Sequence, residues 1–299
     1  MAFPAKSVVK EALGSRRLWL LLALAAIGKL FGTIPVYGAA WVVDGAQILA
    51  IPALLGVAFA VFQPKWSFRV AAFSAAVALL IALPIQSFRH SVAVNGLHIG
   101  NTSMIVVSGI MSADVPAPIF REIHWWLCME IIGKELLTLL PVIALLSFGV
   151  IRGQPAAMLA GFMSGLVFGC FGAAFGSLEN GGLYDDTLID GQLLARLSII
   201  IYQCAYGALQ QAQLTAIASY FISGTPKGAG VMGRFVIGFL LIVALHFASY
   251  ILFDYDWVCG LATIVLFASL YASACSSGDA APVAEPAGDR AAGESNSAG

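Results

Sequence analysis

From Leu18 onward, long apolar runs alternate with short polar connections. Windows of roughly 20 residues yield about eight runs long enough to cross a lipid bilayer as helices. They fall near Leu18–Tyr37, Ala46–Phe62, Val70–Gln86, Trp125–Val150, Ala156–Leu178, Leu197–Ile222, Phe235–Phe253 and Val258–Cys275. The pattern predicts an all-α, polytopic membrane helix bundle of about eight transmembrane helices. The first run is long, contains Lys29 and belongs to a series of similar runs, so it reads as a retained helix rather than a cleaved signal segment.

The charges between the runs order this bundle. Lys6, Lys10, Arg16 and Arg17 precede the first run, Lys65 and Arg69 separate the second from the third, Arg152 follows the fourth, and Lys227 and Arg234 separate the sixth from the seventh. The intervening connections carry Asp44, then Asp114 and Glu122, then Asp185, Asp186 and Asp190, then Asp254 and Asp256, against Arg89, Arg121 and Arg196. Alternate connections are thus basic, and the excess of Lys and Arg predicts that both termini are cytoplasmic. Four regions follow: a cytoplasmic N-terminal segment (1–17), three helices with a long external loop from Ser87 to His124 (18–124), a core of five helices (125–275) and a disordered cytoplasmic tail (276–299) rich in Ala, Gly, Ser, Pro and Glu.

Composition narrows the partners. The chain is 60% hydrophobic and only 10% charged, with a mean hydropathy of +0.91, whereas soluble domains carry about 25% charged residues. A net charge of −1 provides no basic surface for nucleic acid, and no zinc-finger, RNA-binding or P-loop pattern occurs. Membrane lipid and a membrane-protein or peptide partner are what remain. The five cysteines lack the close pairing of a zinc or redox motif and read as packing residues.

Polar groups inside the apolar runs are the candidates for chemistry, because each costs a few kcal/mol unless it is paired or hydrated. In the fourth run, Glu130, Lys134 and Thr138 share one helical face, while Glu135 lies about 100° around from Lys134 and has no partner within its own helix. The fifth run places Gly161, Gly165, Gly169, Gly172 and Gly176 at helical spacing, a seam that lets two backbones approach closely. The same period continues to Glu179, followed by Asn180. In the sixth run, Gln203, Tyr206, Gly207, Gln210 and Leu214 form a face flanked by Gln211 and Gln213. In the seventh, His246, Tyr250 and Asp254 fall on one face.

The order of these motifs resembles the PrsW-type intramembrane metalloproteases, part of a wider group that includes the CAAX prenyl endopeptidases and the Aph subunit of gamma-secretase. The likeness spans roughly Trp125 to Asp254: "KELLT" from Lys134 stands where that family has E-E-x-x-K, and "FGSLENGGLY" from Phe175 resembles its F-A-x-x-E-N-x-x-Y. "QAQLTAIASYFIS" from Gln211 and "ALHFASY" around His246 resemble its two histidine-bearing helices. Lys134, Thr138 and Gln211 depart from the family pattern; Glu135, Glu179, Asn180 and His246 match it.

The resemblance implies a multi-pass protein of the bacterial inner membrane that hydrolyses peptide bonds within or beside the bilayer. Glu135, Glu179 and His246 would be its catalytic residues, and Asn180, Gln211, Lys134 and Tyr250 would support them. Zn²⁺ would be held by Glu135, Glu179 and His246. Two other functions stay open at the level of sequence. One is a catalytically inactive scaffold that binds a membrane partner. The other is a small-solute transporter whose glutamine-rich sixth run lines a polar path.

Overall fold

The computed structural model describes residues 14–32, 53–95, 117–180, 203–224, 231–251 and 256–278. Residues 276–278, expected to be disordered, continue the last helix, while residues 279–299 of the tail and 96–116 of the long connection lie outside the described residues. Within them every regular element is helical: α1 (Arg16–Gly32), α2 (Ala53–Phe62), α3 (Phe68–Asn95), α4 (Ala117–Ser147), α5 (Gln154–Asn180), α6 (Leu209–Ser223), α7 (Val231–Ile251) and α8 (Asp256–Gly278). A π-helical segment, Gln203–Ala208, leads directly into α6. Because α3 runs on to Asn95 and α4 begins at Ala117, the stretch expected to be a loop from Ser87 to His124 is helical at both ends.

Prolines 84 and 141 lie inside α3 and α4. Their missing N–H groups are tolerable where neighbouring helices hold the segment straight. Helix α4 ends in a Schellman turn: Gly149 takes φ +67°, its N–H donates to Leu146 O at 3.1 Å, and the Val150 N–H donates to Leu145 O at 3.0 Å. The chain then re-enters a helix with Pro155 in the first turn of α5, where the lost N–H is harmless.

Helix α5 is central because its glycine face admits α6 at backbone distance. A Cβ at Gly165 would lie 2.6 Å from Gln211 O and 2.8 Å from Ala212 Cα, and one at Gly169 would lie 2.7 Å from Ala208 Cα. Gly161 faces Ser219 and Thr215 in the same way, so α5 and α6 run antiparallel. On its other faces α5 is held by serines that donate to neighbouring carbonyls. Ser74 Oγ of α3 donates to Ala160 O at 2.6 Å, and Ser164 Oγ donates to Thr138 O of α4, also at 2.6 Å.

Tyr206, in the π segment, is wedged between two further glycines, Gly28 of α1 and Gly260 of α8. One helical length away, Tyr220 Oη lies 3.5 Å from Ser273 Oγ of α8, so α6 and α8 run parallel. Gly260→Leu is expected to dislodge Tyr206, whose Oη already lies 2.7 Å from where the first added carbon would sit. Overpacking of this kind costs about 1–3 kcal/mol, readable as a lowered unfolding temperature in detergent.

These pairings assign the helix ends. Arg17 at the start of α1 donates to Gln63 O just beyond α2, and its guanidinium lies 5.0 Å over the ring of Tyr271 in α8. Gly224, past the end of α6, neighbours Gln154 of α5 and Arg234 of α7. Arg16, Arg17, Lys65, Arg69, Arg152 and Arg234 therefore gather at one end of the bundle. The outer surface is apolar, with Phe148 79%, Phe68 75%, Met232 73% and Leu80 72% exposed, while Glu135, Thr138, Ser164, Gln211, Gln213 and Thr215 are buried.

Candidate functional site: a buried Glu135–Gln211–His246 cluster

Glu135 is completely buried, and the partners its own helix lacks come from two others. Gln211 Nε2 of α6 lies 3.0 Å from both carboxylate oxygens and donates across them. His246 Nδ1 of α7 lies 2.5 Å from Oε1, at hydrogen-bond distance. Gln211 is 4% exposed, and the His246 side chain is 15% exposed, so His246 is the member nearest the surface.

The sequence produces this meeting through small residues. Gly165 lets the Gln211 backbone press against α5, which sets how deep the amide reaches. Thr138 Oγ1 donates to Glu135 O at 2.9 Å, and Thr215 Oγ1 donates to Gln211 O at 3.0 Å, so both turns that carry the cluster have an added hydrogen bond on the backbone. Ser164 bonds the Thr138 carbonyl and ties α4 to α5 at the same level. A carboxylate removed from water requires such partners, since without them burial is prohibitive.

Of the residues expected at the site, Glu135, Gln211 and His246 come together. Lys134 is partly buried beside Glu135 on α4. Tyr250 lies one turn beyond His246 on α7, and Glu179 and Asn180 end α5; their side chains lie outside the described residues. The backbone of α5 is level with the cluster at Ser164 and Gly165. At a helix rise of about 1.5 Å per residue, Glu179 stands about 21 Å further along the axis. A shared metal ion held by Glu135, Glu179 and His246 does not fit a continuous α5.

Glu135 and His246 are turned towards each other at hydrogen-bond distance, and no group of three His, Cys, Asp or Glu side chains among the described residues is placed to hold a metal.

The role of Gln211 is where sequence periodicity misleads. A straight α-helical wheel from Gln203 points Gln210 along the polar face and leaves Gln211 at its flank. The π segment inserts extra residues per turn before Leu209, which rotates everything after it. Gln213, two residues on, is also buried, and its Oε1 has no hydrogen-bond partner among the described residues.

Chemically, the cluster is an imidazole oriented by a buried carboxylate, which an amide in turn fixes in place. Such an arrangement holds and transfers protons. The chain matches no protein-family model, no curated protein and no solved structure.

Proposed function

We propose that the chain is a multi-pass protein of the cell membrane, with its basic end and both termini on the cytoplasmic side, and that it is a PrsW-like intramembrane hydrolase of peptide bonds within or beside the bilayer. The membrane reading is supported by Trp257–Ser276, which is long and apolar enough to span, by the shorter apolar helices beside it, and by the inversion that places aromatic and aliphatic side chains outside and amides within. The basic end then meets the cytoplasmic leaflet.

The hydrolase reading rests on one observation: three helices converge to place an imidazole against a fully buried carboxylate. Glu135 accepts the Nδ1 hydrogen bond and fixes the ring. Nε2 is then the ring atom that exchanges a proton with the attacking water, and the carboxylate balances the charge that the ring acquires. Gln211 keeps Glu135 from rotating away. A carboxylate that positions an imidazole in this way typically serves general-base catalysis, whose contribution is about 10²–10⁴-fold in rate.

A second reading, a scaffold that binds a membrane partner, is favoured by a specific feature: both carboxylate oxygens are already occupied by Gln211 and the group has no exposure. The two readings part under conservative substitution. In detergent, wild type should cleave members of a membrane-peptide library, and Glu135→Gln, which keeps the shape but exchanges one acceptor oxygen for an amide donor, should lose about 100-fold or more while remaining folded. Stable wild-type protein without cleavage sinks the hydrolase reading and leaves the scaffold. Zinc content measured on the same samples decides the place of Glu179: stoichiometric zinc lost in Glu135→Gln, Glu179→Gln and His246→Ala alike would require α5 to break and bring Glu179 to the cluster.

A further inference from the structure

At the basic end, the first turn of α1 and the last turns of α8 enclose a cavity of about 80 Å³, lined by Ser15, Arg17, Phe267, Tyr271 and Cys275 among others. Arg17 is half-buried there. Its guanidinium is fixed twice, by Gln63 O and by the Tyr271 ring, which itself is locked through Tyr271 Oη donating to Phe62 O at 3.0 Å. Neither partner of Arg17 is anionic, and among the described residues no carboxylate pairs with it. A positioned, partly desolvated cation that faces an open space and has no counter-charge among the described residues is suited to an added anion. Ser15 Oγ accepts the Arg17 backbone N–H at 3.2 Å, so its own proton remains available to a second acceptor in the same space.

The surroundings specify the kind of anion. Trp19, 61% exposed, lies on the outer face of α1 just beyond Arg17, and Phe68, 75% exposed, opens α3 at the same end. Exposed aromatic residues beside cations mark the boundary between headgroups and acyl chains. Below Trp19 the outward face of α1 continues through Ile27 and Leu30, 44% and 67% exposed, an apolar strip suited to an acyl chain. Arg16, Lys65 and Arg69 add long-range attraction for negative charge.

We infer that this crevice binds the phosphodiester of an anionic phospholipid, with Arg17 and Ser15 on the phosphate oxygens and an acyl chain along the outer face of α1. The inference rests on the membrane reading above but not on hydrolase activity. Resistance to alkaline extraction tests that membrane reading separately.

The experiment is native mass spectrometry of the full chain released from nanodiscs of equal phosphatidylglycerol and phosphatidylcholine. Wild type should retain one phosphatidylglycerol in preference to phosphatidylcholine. Arg17→Gln should weaken that retention by clearly more than about fivefold, the effect of one interfacial cation, while Arg69→Gln, outside the cavity, should cost no more than that. If Arg17→Gln fails to fold, Ala272→Phe, which fills the crevice and leaves Arg17 in place, should lose the lipid instead. Equal retention of the two lipids, or equal losses in Arg17→Gln and Arg69→Gln, would overturn the site. Displacement of the lipid by millimolar inorganic phosphate would reassign the site to free phosphate and overturn the lipid proposal as well.

Discussion

Gly165→Ala is expected to be among the most damaging single-methyl additions in this protein. The new Cβ would stand 2.6 Å from Gln211 O and from Thr215 Oγ1, and 2.8 Å from Ala212 Cα. Two of these three atoms belong to the backbone of α6, so no rotamer change relieves the contact, and α5 and α6 must separate. Overpacking typically costs about 1–3 kcal/mol, and separation here also draws Gln211 away from Glu135. That leaves a buried carboxylate short of a donor, for about 1–3 kcal/mol more. Gly133→Ala is the control. It lies on α4 with nothing within 4 Å of the added carbon, and replacing a mid-helix glycine there should be neutral or stabilising by up to about 1 kcal/mol. Thermal unfolding in detergent, followed by circular dichroism, should show a fall in midpoint for Gly165→Ala alone. Equal midpoints for the two variants would mean that α5 and α6 are not in backbone contact.

The same seam shows what was legible in the sequence. Gly161, Gly165 and Gly169 at helical spacing announce a close-packed face, because small residues let helix backbones approach closely. Spacing does not say which helix fills the face; that choice depends on the sum of contacts across the bundle. Glu135 was legible as a carboxylate whose partners must lie on other helices. Its partner on α6 was named by the family resemblance, whereas the helical wheel alone favours Gln210 over Gln211, because a π segment carries no composition signal and yet rotates all that follows.

Glu179 illustrates a different limit. The period from Gly161 through Gly165 to Gly169 fixes a common face, but a face extends along the whole helix, and depth follows only from which residues of a neighbour are level with which. Here Gly165 is level with Gln211 and Gly169 with Ala208. The order of basic connections, by contrast, needed no packing information. Each short connection joins the end of one helix to the start of the next, so residues such as Arg152 and Arg234 are carried to an end of the bundle by chain connectivity alone.

His246→Leu should destabilise the fold more than the double substitution Glu135→Leu/His246→Leu. The single change removes the group bonded to Oε1 and leaves the carboxylate, with no exposure, dependent on Gln211 alone. Removing one member of a buried pair costs about 3–5 kcal/mol when the other is left charged, whereas replacing both by apolar groups of similar volume is often neutral. The double variant still strands the Gln211 amide, a neutral group whose burial without a partner costs about 1–3 kcal/mol. Single and double variants should therefore differ by about 2 kcal/mol in the unexpected direction, with the more heavily mutated protein the more stable. Unfolding midpoints of wild type, both single variants and the double variant in one detergent measure this difference. Additive losses would show that Glu135 and His246 contribute independently, and the bonded pair could then be neither a proton-handling unit nor a scaffold's polar lock. A rescued double variant, stable and without cleavage, would show that Glu135 serves a purpose other than folding, since the bundle holds together without it.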